Sequence, residues 1–114
     1  MLYRGWDTMI ESFFFPHKVL IRDMIDRGGE GSSPGPARPS IAETIDERTL
    51  VKNRDSVEVV SNSRVTVPLD ANVAPGALVT VWPGTSATRE AEVIRVGRDE
   101  NAAPLPSHLI LWLT

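Results

Sequence analysis

Apolar residues recur along this chain with two different periods. Leu2, Trp6, Met9, Ile10 and Phe13 fall at i, i+4, i+7, i+8 and i+11. That is the stripe of a short amphipathic helix, which Pro16 would end. Such a stripe packs on the body of a fold or docks on a partner chain. From His17 the period shortens to two. His17–Ile25 is rich in Val, Leu and Ile and predicts a strand. Ile41–Asn53 alternates imperfectly and predicts a strand or the arm of a bent hairpin. In Val57–Leu69 the positions Val57, Val59, Val65, Val67 and Leu69 keep one parity. Ser61-Asn62-Ser63 suits a bulge or tight turn, and Pro68 a strand end. Ala77–Trp82 predicts a short strand before Pro83-Gly84, and Glu90–Val96 another, ended by Gly97. His108–Leu113 closes the series, with Leu109, Leu111 and Leu113 on one face and Ile110 and Trp112 on the other. Apolar residues on both faces imply burial on both sides, or one side covered by a neighbouring subunit.

Between the first two strands lies Arg27–Ser40, RGGEGSSPGPARPS. It is dominated by Gly, Pro and Ser and offers little apolar surface to offset backbone entropy. The expectation is a long, mobile inserted loop. Arg98–Ser107 reads as a polar loop. The predicted architecture is therefore all-β. It is a small antiparallel β-barrel of about six short strands, with a long inserted loop and a possible short N-terminal helix. At 114 residues the chain has room for one domain, 1–114.

Composition narrows the chemistry. There is no cysteine, which removes disulfides, thiolate metal sites and thiol catalysis. Twelve Lys and Arg stand against fifteen Asp and Glu, for a net charge of −3 and a pI near 5.3. Duplex-phosphate binding is not the default for such a balance. No apolar run reaches the roughly 18–20 residues of a membrane span, and no signal-peptide pattern opens the chain. The expectation is a soluble protein made in the cytoplasm, with no membrane partner.

Motifs for catalysis are missing. His17 and His108 each open a predicted strand, and neither has a second His at metal-ligand spacing. GxSxG, Walker A and Rossmann glycine patterns are absent. Ser61, Ser63 and Ser86 sit in turn contexts. Glu43, Asp46 and Glu47 cluster beside Arg48 and read as a solvated charged face rather than a carboxylate pair with separated pKa values. Arg89, Arg95 and Arg98 alternate with acids, and most of the seven aromatics crowd the N-terminus, which is poor material for a base-stacking platform. No catalytic residue, metal ligand or cofactor site is expected.

The order of features goes further than any single one. Phe15-Pro16-His17 leads into the first strand, and a Gly/Pro-rich segment follows. Then come Ser61-Asn62-Ser63-Arg64-Val65-Thr66-Val67-Pro68, Pro75-Gly76 before Val79-Thr80-Val81, and His108–Thr114. In this order the chain from His17 to Thr114 resembles the head-to-tail stopper (head-completion) proteins of long-tailed phages, particularly those of actinobacterial hosts. The resemblance implies a non-enzymatic structural protein of the virion neck. Such a protein forms a homo-oligomeric ring, commonly a hexamer, between a portal-side adaptor and the tail terminator or tail tube. The ring retains packaged DNA, which passes through without sequence-specific binding. It further implies that Arg27, Glu30, Arg38, Ser40, Glu43, Asp46, Glu47 and Arg48 belong to the channel or inter-ring segment. Trp6, Phe13, Phe14, Phe15, Trp82 and Trp112 are the candidate interface residues. The alternatives are another head–tail or minor tail component, such as an adaptor or tail terminator, or an OB- or SH3-like module that binds nucleic acid or peptide.

Overall fold

A computed structural model describes residues 14–99 and 107–114. The predicted helix over Leu2–Phe13 and most of the loop after Arg98 lie outside the described residues. Among the described residues eight strands run in chain order: β1 (His17–Asp26), β2 (Ser32–Ile45), β3 (Thr49–Lys52), β4 (Glu58–Ser61), β5 (Ser63–Pro68), β6 (Leu78–Val81), β7 (Arg89–Asp99) and β8 (His108–Leu113). Six close into an antiparallel barrel in the order β1-β2-β5-β8-β7-β6, and β3 and β4 pair only with each other. The all-β barrel read from the alternation is thus the fold.

Period-two alternation builds the interior. Val19 and Ile21 of β1, Val65 and Val67 of β5, Val79 and Val81 of β6, and Leu111 and Leu113 of β8 are fully buried. Each such side chain contributes about 1.5–3 kcal/mol on leaving water. A barrel of so few strands has no room for a lumen. One contiguous cluster of Val, Ile, Leu and Ala fills it.

The largest departure from expectation is Arg27–Ser40. It is not a mobile loop. A 3-10 turn (Gly28–Glu30) reverses the chain, and Ser32 onward is strand β2, paired with β1 from Asp26↔Ser32 to His17↔Ala42. The reason lies in the partners of β2. Strand β5 pairs only with Glu43–Ile45, so Ser32–Ala42 is an edge strand. An edge is where a sheet tolerates Pro34, Pro36 and Pro39, since a missing N–H there removes no ladder bond. The prolines also blunt that edge against pairing with other chains. Strand β6 pairs with β1 only over Val19–Arg22, so the rest of the β1–β2 hairpin projects past the barrel wall as a two-stranded ribbon. A bulge between Arg22 and Met24 bends it. Gly35 is buried in the ribbon; a Cβ there would lie 2.7 Å from Ile25 Cδ1 and 3.3 Å from the Asp23 carbonyl oxygen.

Three smaller corrections concern strands. Ile41–Asn53 is the end of β2, a connection and β3, not one arm. The shared parity of Val57–Leu69 does not mean one shared face: β4 leaves the barrel to pair with β3 and Val57 is 55% exposed, whereas Val65 and Val67 are fully buried in the core and Leu69 packs against it. Gly97 does not end β7, which runs on to Asp99. Instead Gly97 makes space for Trp112, whose Cζ3 and Cη2 would lie 3.1 and 3.2 Å from an added Cβ. A second bulge, between Val93 and Arg95, lets two successive residues be buried. Val93 enters the core, while Ile94 is covered outside the barrel, on the side where β3 lies against β7.

Candidate functional site

Antiparallel closure brings the start of β1, the end of β2, the start of β5, the end of β8, the start of β7 and the end of β6 to one rim. Polar strand-end residues meet there. Asp46, the first residue after β2, accepts from the Ser63 hydroxyl at 2.7 Å and from the Trp82 indole N–H at 3.0 Å. The same Ser63 oxygen accepts from Arg89 Nη2, and Arg89 Nη1 donates to the Thr114 carbonyl at 2.8 Å. Asp46 and Arg89 are thus a carboxylate and a guanidinium joined through one buried hydroxyl. Trp82 holds a left-handed backbone with φ of 52°. Its ring meets His17 edge-on, with centroids 4.8 Å apart. His17 Nδ1 accepts the Thr44 N–H at 3.0 Å, which requires the tautomer with a bare Nδ1.

This knot was not legible in sequence, since the two direct partners of Asp46 lie 17 and 36 residues away and Arg89 and Thr114 lie farther still. The one available signal was that polar residues open or follow several predicted strands. Its chemistry is structural. The Ser63 hydroxyl is fully buried and engaged on both sides, and His17 points its acceptor at a backbone amide. The Ser63 hydroxyl that meets the Asp46 carboxylate is also capped by Arg89 and is sealed from solvent.

The candidate channel residues do not converge. Arg27, Glu30, Arg38 and Ser40 lie along the ribbon and its base, whereas Glu43, Asp46, Glu47 and Arg48 lie toward or just beyond the other end of β2. Arg27 is turned onto the Ser33 hydroxyl. Arg38 makes a two-pronged contact with Asp23, Nε to Oδ2 at 2.8 Å and Nη2 to Oδ1 at 3.1 Å, and also donates to the Asn72 carbonyl at 3.2 Å. Hydrogen bonding to Arg38 holds the Asp23 carboxyl below its ordinary value and raises Arg38 in turn. The Ser40 hydroxyl donates to the Ile41 carbonyl. Glu43 is half-buried opposite Thr66, Glu47 accepts from Thr49, and Arg48 lies beside Leu50.

Of the candidate interface residues, Trp6 and Phe13 lie outside the described residues. Phe14 is half-buried. Phe15 is 4% exposed and so is no free surface. Trp82 is committed to the rim knot. Trp112 remains on the outer wall, half-buried over Gly97, with the Arg95 guanidinium carbon 5.6 Å from its ring centroid.

Two open grooves of about 230 and 300 Å³ run between the two hairpins, sharing Arg54, Pro75, Gly76 and Glu92 as walls. The ionisable residues that line them are Arg54, Asp55 and Glu92. Among the described residues, no three His, Asp or Glu side chains come together as a metal site, and no helix is long and apolar enough to cross a membrane. Comparison with family models, with curated proteins and with solved structures finds no match.

Proposed function

We propose that this chain is a head-to-tail stopper of a long-tailed phage. In this reading it is a non-enzymatic virion protein whose copies form a ring in the neck, between a portal-side adaptor and the tail terminator. The ring retains packaged DNA and offers the tail its docking surface. The observation that carries the reading is the β1–β2 ribbon on a solid barrel. A barrel without a lumen cannot pass DNA, so a channel has to lie between copies, and a ribbon that overshoots the wall can reach into it. Internal pairing of Arg38 with Asp23 and of Arg27 with Ser33 leaves few free cations on the ribbon. Together with the net charge of −3, this suits a channel that must not grip phosphate, because each phosphate contact adds affinity and slows passage. The β-ribbon takes the place of the mobile loop expected from sequence, so gating would come from movement of a stiff hairpin.

The test is genetic. Inactivating the gene in the phage that encodes it should leave heads that fill, leak DNA and carry no tails. Complementation with a chain whose Arg27–Ser32 tip is replaced by an Asn-Gly turn should restore a folded subunit but not DNA retention. Tailed, infectious particles from the inactivated phage would overturn the proposal.

A further inference from the structure

The outer wall of the barrel carries a row that no contact among the described residues explains. Register places Arg64 of β5, Trp112 of β8 and Arg95 of β7 side by side, and Thr66, Ile110 and Gly97 in the next row. Trp112, Ile110 and Arg64 are half-buried, and Arg95 is exposed. Among the described residues neither guanidinium pairs with a carboxylate. A tryptophan between two arginines, with an isoleucine beside it, is the composition of an interface centre rather than of a bare surface.

The complement is present in the same molecule. The ribbon exposes Met24 and Ile25, at 41% and 39%, followed by the carboxylates of Asp26 and Glu30. Among the described residues, Asp26 accepts its own turn's Gly28 N–H and pairs with no cation. Arg27, the one cation between them, is held by Ser33. Apolar residues and acids thus face solvent on the ribbon, while apolar residues and bases face solvent along the Arg64–Trp112–Arg95 row of the wall. They cannot meet within one chain, since β8 is three strands from β1 whichever way the barrel is traversed.

We infer that the ribbon of one copy docks on the Arg64–Trp112–Arg95 wall of the next copy. Such a contact joins two different patches, so it is heterologous and either closes into a ring or propagates as a filament. It assigns the subunit contact of the ring proposed above and rests on that reading only for its biological setting.

The natural absence of cysteine permits a clean test. In the full chain, Ile25→Cys with Ile110→Cys is oxidised over a range of protein concentrations and run without reductant. A bridge needs Cα atoms within about 7 Å, so any bond between the two positions is intermolecular. The expected result is a ladder of dimer, trimer and higher species from the double variant, and nothing beyond dimer from either single variant. Glu30→Cys with Ile110→Cys repeats the experiment without touching the Ile25 contact on Gly35. Adding Arg64→Glu and Arg95→Glu should cut the ladder about tenfold, and adding Asp26→Lys and Glu30→Lys to the Ile25→Cys form should restore it. Absence of any ladder from both double-cysteine variants overturns the contact. A ladder alongside tailed particles from the inactivated phage would instead keep the contact and remove the neck.

Discussion

Leu111 and Trp112 are neighbours on β8 that face opposite sides of the wall, and truncating each to alanine separates core from surface. Leu111 is 0% exposed and is held on all sides by the Val, Ile and Leu cluster. Leu111→Ala removes its transfer free energy and leaves a void that the closed barrel cannot collapse into. The cost should be about 3–4 kcal/mol. Trp112 is much larger but only half-buried on the outer wall. A tryptophan buries ~150–250 Å² when enclosed. Roughly half of that at ~25 cal/mol per Å² contributes about 2–3 kcal/mol, and the Arg95 stack about 0.5–1 kcal/mol. Regained side-chain freedom offsets part of this, and no closed cavity forms. Trp112→Ala should therefore cost about 2 kcal/mol, less than the smaller residue beside it. Urea unfolding followed by far-UV circular dichroism measures both without relying on tryptophan signal, and an unchanged denaturant slope validates the comparison. If Trp112→Ala costs as much as Leu111→Ala or more, the division of β8 into an inner and an outer face is wrong.

Three further outcomes follow from named contacts. The Asp23 carboxyl is held below its unfolded value of 3.8 by Arg38. The pair's contribution is therefore present above that pH and is lost as pH falls through the lower folded value. With both side chains more than a third exposed, screening limits it to about 1 kcal/mol or less. The stability gap between the natural chain and Asp23→Asn, read by denaturant titration, should shrink toward zero below pH 3.8 and stay flat from pH 5 to 8. Asp46→Ala should cost about 1–2 kcal/mol by freeing the Ser63 hydroxyl and the Trp82 indole, with faster amide exchange at Thr44 and Glu47; slow exchange retained at both would refute the rim knot. Gly35→Ala drives a methyl against Ile25 and the Asp23 carbonyl and should cost about 1–2 kcal/mol. In an Ile25→Ala background that cost should fall by at least about half, and a double-mutant cycle with no coupling would show that Ile25 is not the obstacle.

Period-two alternation in β1, β5, β6 and β8 was enough to read an all-β barrel, because the buried wall of a sheet writes its face directly into the chain. The same logic placed His17 and His108 at strand starts and Leu109, Leu111 and Leu113 on one face of the last strand, but barrel closure decided that this face is the inner one. It failed at Ser32–Ser40, where composition argued against structure. Glycine and proline forbid a central strand but not an edge, and only the topology reveals that β5 meets no more of β2 than Glu43–Ile45. It failed again at Val57 and Val59, whose parity is correct but whose strand leaves the barrel for β3. The Asp46 knot and the Arg64–Trp112–Arg95 row were invisible for one reason. Each joins residues from three or more strands, and strand order and register around a closed barrel come from global packing, not from any window of the sequence.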